Sequence, residues 1–156
     1  MAGRDLKPSK GPWIAYLAVE GALGPLKNTR VENVELVDDR RVRHVFKNPT
    51  RNKLENLMRI LDDYDILITW GGARKDLPLL TACCIRLGVD PSPLHALAHL
   101  DLQEFVKDKL GIVDAGLEET AEFLKAGRGG GKVYTLMRVF KKLRGFVRSL
   151  RPELAL

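Results

Sequence analysis

The sequence predicts an α/β protein: a five-stranded mixed sheet, three antiparallel strands followed by two parallel ones, with helices on both faces. Three observations carry this. The first third holds three short apolar or alternating runs separated by turn residues, as in an antiparallel meander. From Thr50 onward, helical and strand-like periodicities alternate, as they do when parallel strands are joined through helices. Between them, Asp65 to Leu80 (DILITWGGARKDLPLL) reads as a buried strand, a glycine turn and the start of a helix.

In that central stretch, Ile66, Leu67, Ile68 and Trp70 form a β-branched apolar run suited to a strand covered on both faces. Gly71-Gly72 ends it. Leu77, Leu79, Leu80, Ala82, Cys83, Ile85 and Leu87 then recur at helical spacing, with Pro78 in the tolerant first turn and Gly88 where a helix stops. Asp76 therefore stands at a helix mouth beyond the carboxyl end of a central strand, where open α/β sheets place their ligand sites.

The remaining elements follow in order. Residues 1–11 read as a flexible N-terminal arm. Trp13 to Val19 is a near-continuous apolar run ending at Glu20, Val31 to Val37 a second strand, Asp38-Asp39 a turn, and Val42 to Phe46 a half-exposed third strand. Thr50 is placed to cap a helix carrying Leu54, Leu57, Met58 and Leu61. Val89 to Pro93 reads as a proline-rich turn and Leu97 to Leu102 as a fifth strand. Helices follow at 102–110 and 117–125, each with an acidic first turn. Gly127 to Gly131 breaks the chain. Val133, Leu136, Phe140, Leu143, Val147 and Leu150 then mark an amphipathic helix that Gly145 interrupts at a cost of ~1 kcal/mol. This divides the chain into an arm (1–11), a domain (12–126), and a glycine hinge with a basic helix (127–156) packed on the same domain.

Composition limits the function. At 156 residues the chain suits one domain, and its N-terminus lacks the apolar core of a secretory signal, which predicts a cytoplasmic protein. No apolar run approaches the ~18 residues of a membrane span. Adjacent Cys83 and Cys84 lie within a helix and read as free buried thiols. A 29% charged content with one glutamine leans towards a thermophile. The net charge of +6 sits wholly in the last 25 residues, where seven basic residues face one acid, Glu153.

The runs DILITWGGARKDLPLLTACCIRLGVDPSPL, HLDLQEFVKDKLGI and GLEETAEFLKAG resemble the ribonuclease H-like (DEDD) 3′–5′ exonucleases. The likeness is to the archaeal and bacterial group related to the proofreading domain of B-family DNA polymerases, and it spans roughly residues 12–126. It implies a DNA replication or repair setting and four carboxylates holding two divalent metals, Mg or Mn, that activate water against a phosphodiester. The family's Asp-x-Glu corresponds to Ala18-Val19-Glu20, and its Asn-Gly-x-x-Phe-Asp to Gly71-Gly72-Ala73-Arg74-Lys75-Asp76. The fourth acid opens the last helix, where this chain has Gly131 or Lys132. Only Glu20 and Asp76 thus remain as metal-binding and catalytic residues.

Each survivor has a plainer role beside the chemical one. Asp76 suits a helix cap and Glu20 a solvated loop acid. Asp101 with Glu104 suits a capping box. His44, His95 and His99 show no ligand spacing, and Trp70 suits the core. The expected nucleic-acid surface comprises Arg74 and Lys75 at the cleft and Lys132, Arg138, Lys141, Lys142 and Arg148 in the tail; alternatively, the tail's basic stems lie along the surface while its apolar stripe packs inward. The favoured function is a catalytically degenerate exonuclease-like domain that binds nucleic acid, DNA above all, or a DNA polymerase or other replication or repair protein. Two alternatives stand: an active Mg- or Mn-dependent exonuclease on single-stranded DNA or RNA ends, and a structural accessory subunit docking through an exposed tail stripe.

Overall fold

The computed structural model describes residues 12–22 and 24–156, so the expected N-terminal arm lies outside the described residues. Five strands, β1 (Ile14–Ala22), β2 (Arg30–Asp38), β3 (Arg43–Lys47), β4 (Ile66–Thr69) and β5 (Ala98–Asp101), form one sheet in the order β3-β2-β1-β4-β5. β1–β2 and β2–β3 pair antiparallel, β1–β4 and β4–β5 parallel. The meander and the two parallel additions are as the sequence predicts.

Residue alternation along β1 divides the core. Ala15, Leu17 and Val19 face α1 (Arg51–Leu61), α2 (Asp76–Arg86) and α3 (Ser92–Ala96). Ile14, Tyr16 and Ala18 face α4 (Leu102–Leu110), α5 (Leu117–Phe123) and α6 (Lys132–Leu150). The period-2 geometry of a strand sends successive side chains to opposite layers, which is why both sets of apolar residues are needed in one continuous run. β3 is one of the two edge strands and buries only Phe46, leaving Val45 exposed.

Local signals account for most boundaries. Thr50 caps α1, its hydroxyl accepting from the Lys53 backbone amide. Gly88, at φ +75°, ends α2 in the left-handed region that glycine adopts without strain. The expected turn at 89–93 instead leads into the short helix α3: Pro93 sits in its first turn, where no backbone donor is required, and the Ser92 hydroxyl is held by Asp90 at 2.6 Å.

Helix α6 runs unbroken through Gly145, which faces open space. Its stripe of Val133, Leu136, Met137, Val139, Phe140, Leu143 and Val147 is buried against the sheet, and Phe140 meets Tyr16 edge-on at 6.0 Å. Leu150, expected in that stripe, is exposed, and the stripe is continued instead by Leu154, which is buried in the same core. The docking surface on which the accessory-subunit reading depended is therefore covered by the protein's own core. Among the described residues, no helix is long and apolar enough to cross a membrane.

Candidate functional site

The parallel strands β1, β4 and β5 end on the same side of the molecule, and their carboxyl ends carry Glu20, the Gly71–Lys75 turn and Asp101. The turn is tightly built. Gly71 has φ +73°, and a Cβ on Gly72 would lie 2.2 Å from the Thr69 hydroxyl oxygen, which accepts from the Gly72 amide at 3.2 Å. That hydroxyl also shares a hydrogen bond of 2.8 Å with His99 Nε2, and burial pushes the His99 pKa down, favouring the neutral ring.

Asp101 is the structural centre of this region. Its carboxylate accepts from the amides of Gly71 (2.8 Å), Ala73 (3.2 Å) and Gln103 (3.1 Å), so it caps α4 and pins the turn after β4 at once. The expected capping box is only half formed: Glu104 reaches Arg74, at 3.8 Å, rather than turning back to Asp101. Sequence reading found the cap but missed the clamp, whose partners lie about thirty residues upstream.

Asp76 is the first residue of α2 and only 1% exposed, and neither carboxylate oxygen has a well-aligned hydrogen-bond partner, the Val19 backbone amide being directed at the carboxylate without meeting full hydrogen-bond geometry. Its expected role as helix cap is not realised. Lys75 occupies the cap position and makes no side-chain capping bond. Burial raises the Asp76 pKa above the ordinary carboxylate range and Asp101 adds to the rise, while Lys132, the Val19 backbone amide and Lys75 oppose it. Lys132, the first residue of α6, acts on this carboxylate more strongly than any other charged group. No ion pair within 4 Å joins the two, so Lys132 acts across the site rather than in contact.

Ala18 and Glu20 share one face of β1, Ala18 buried and Glu20 exposed, with a register irregularity after Glu20. Among the described residues, no three of His, Cys, Asp and Glu gather where they could hold a metal ion. Trp70 lies in the core, and His95 bonds the Thr81 hydroxyl at 2.8 Å. Cys83 and Cys84 are free and buried, and burial pushes the Cys84 thiol up to about 11.

The basic residues divide. Arg74, Lys75 and Lys132 are exposed around the carboxyl ends of the strands. Arg138 is engaged internally, donating to the Gly129 carbonyl at 2.7 Å and to the Thr135 hydroxyl at 3.3 Å, which holds the glycine loop against α6. Lys141, Lys142 and Arg148 are exposed on the outer side of α6, Arg148 also donating to the Leu156 carbonyl.

This sheet order and its helices are shared with solved nucleases. The chain superimposes on the family B DNA polymerase of the hyperthermophilic archaeon Pyrobaculum calidifontis with a TM-score of 0.63 and 21% identity, covering 90% of this chain and 25% of that one. The fold is that of a ribonuclease H-like exonuclease. An ExoI/SSB-Ct complex aligns with a TM-score of 0.67 and 11% identity, over 92% of this chain and 42% of that one. A product-bound exonuclease I aligns at 0.66 and 12%, over 92% and 45%. The exonuclease-fold chain thus spans a quarter of the polymerase and less than half of exonuclease I. No family model and no curated protein matches the sequence.

Proposed function

We propose that this chain is an exonuclease-fold domain that has given up its metal centre and binds nucleic acid, DNA above all, in a replication or repair setting in the cytoplasm. One observation carries the reading: the strongest charge acting on the buried carboxylate of Asp76 is a cation of the chain itself, Lys132. Two hard divalent ions need several oxygens each, at ~2.0–2.6 Å. Asp76 offers two oxygens without a well-aligned hydrogen bond, but Ala18 offers none, and the Lys132 ammonium repels any ion approaching them. The residues do not fit a pair of Mg or Mn ions, so no hydrolytic step is assigned. Exposed cations at Arg74, Lys75, Lys132, Lys141, Lys142 and Arg148 are what the surface offers to phosphates.

The opposing reading is a metal-dependent 3′–5′ exonuclease on single-stranded DNA or RNA ends, and the same two poorly satisfied oxygens of Asp76 favour it, since one ion would satisfy them. The test is end-labelled single-stranded DNA and RNA incubated with Mg or Mn. We expect intact substrate. Shortening that chelation abolishes, and that Asp76→Ala also abolishes, would establish the opposing reading.

A further inference from the structure

Helix α6 joins two ends of the molecule that the sequence does not distinguish. Because β1, β4 and β5 are parallel, Glu20, Thr69 and Asp101 lie at one end of the sheet and Ile14, Ile66 and Ala98 at the other. The register Ala15↔Asp38 puts the β2–β3 turn, residues 39–42, at this second end. Lys132 acts on Asp76 at the first end, whereas Arg144 lies 3.8 Å from Asp39 in the turn. At 1.5 Å per helical residue, Lys132 and Arg144 are about 18 Å apart along the axis.

The second end is built as a cationic surface. Lys141, Arg144 and Arg148 fall on one face of α6 at helical spacing, beside the turn that carries Arg40 and Arg41. Arg41 is exposed at φ +65°, its amide donating to the Asp38 carbonyl while its guanidinium has no hydrogen-bond or ion-pair partner among the described residues. Arg40 is fixed in place, stacked 3.9 Å over the Trp13 ring and bonded to buried Asp38, with half of its side chain open to solvent. The acid within the cluster, Asp39, accepts from the Tyr16 hydroxyl at 2.8 Å and faces Arg144. The acidic segment 62–65 before β4 adjoins Arg40, with Tyr64 donating to Asp38 at 2.7 Å and the Trp13 amide donating to Asp65 at 2.8 Å, so the unopposed cations are those on the α6 side.

We infer that the β2–β3 turn and the C-terminal half of α6 form a docking surface for the phosphate backbone of nucleic acid, with Arg41, Lys141, Arg144 and Arg148 as its contacts. It is separate from the cleft at Asp76. This rests on the nucleic-acid reading above and specifies where that binding occurs. Four phosphate contacts predict a salt slope of about −3.6 for duplex DNA, hence affinity falling on the order of 100-fold between 50 and 200 mM salt.

The experiment titrates a fluorescein-labelled DNA duplex and the matching single strand across that salt range. It uses the full chain, Arg41→Gln/Lys141→Gln/Arg148→Gln, and Arg74→Gln/Lys75→Gln, with circular dichroism confirming that each variant is folded. The far-end variant is expected to lose about 2.7 from the slope, and the cleft variant less than one. Loss of slope in the cleft variant alone, or equally in both, overturns the far-end surface while leaving nucleic-acid binding intact. Wild-type protein that binds neither probe at 50 mM salt overturns the nucleic-acid reading itself, and with it this surface; capture of an acidic protein through these residues would then identify the partner class.

Discussion

Asp101 accepts the backbone N–H of Gly71 at 2.8 Å, tying the start of one helix to the turn that precedes another. The same carboxylate holds Ala73 and Gln103, so the loop leading into Asp76 has its shape set from across the sheet edge. Replacing Asp101 by alanine strands three backbone donors. With ~1–3 kcal/mol for each donor left unbonded, and partial rescue by water at a site 8% exposed, we expect a loss of about 3 kcal/mol. In a thermal melt that is a drop of roughly 6–12 °C for a chain of this length. A change under 2 °C would show the clamp to be dispensable.

Asp76 predicts the opposite sign. A carboxylate buried with only the poorly aligned Val19 amide beside it opposes folding, so Asp76→Asn should raise stability by about 1 kcal/mol at neutral pH. Lys132→Met should lower it, because the ammonium partly offsets the buried charge. In the double variant the Lys132 effect should largely vanish, giving a coupling of at least ~0.5 kcal/mol in denaturant unfolding. Additive single effects would remove Lys132 as the counter-charge.

Metal response gives a third expectation. Mn added to the wild-type protein should leave its melting temperature unchanged. Ala18→Asp combined with Lys132→Asp restores two carboxylates around Asp76, and Mn at a hundredfold excess over its Kd should then stabilise by ~2.7 kcal/mol. A Mn shift in the wild type itself would show that the present residues suffice.

Asp38 sets an acid limit. Burial opposes its charged form, but the Tyr64 hydroxyl, at 2.7 Å, the Arg40 guanidinium and the Val42 amide outweigh it and hold its pKa below the ordinary carboxylate range. Because the folded pKa is the lower one, this contribution is fully present above the unfolded value near 3.8 and is lost as pH falls through the folded value. Unfolding measured between pH 5 and 2 should show a steeper loss in the wild type than in Asp38→Asn. Parallel curves would remove Asp38 from that role.

The residues legible in sequence were those governed by neighbours. Thr50 capping α1, Gly88 stopping α2, and the strand, glycine turn and helix around Trp70 depend on periods and caps within a few positions. Helix α3 was not legible, because prolines at 91 and 93 signal a turn and a helix start equally well. Nor was the grip of Asp101 on Gly71, which sequence separation hides. Ala18, and either Gly131 or Lys132, could be matched to positions, but only the packing of α6 on the sheet brings Lys132 to bear on Asp76. The separation of the basic residues into two ends depends on strand register and helix length, which no count of charges conveys.

The covered face of α6 has one more outcome. A protease cutting within Gly127–Gly131 would divide the polypeptide in two, yet Val133, Phe140 and Val147 would still be seated against Tyr16 and its neighbours. The nicked halves should therefore remain a single particle, and two separately synthesised fragments should find each other.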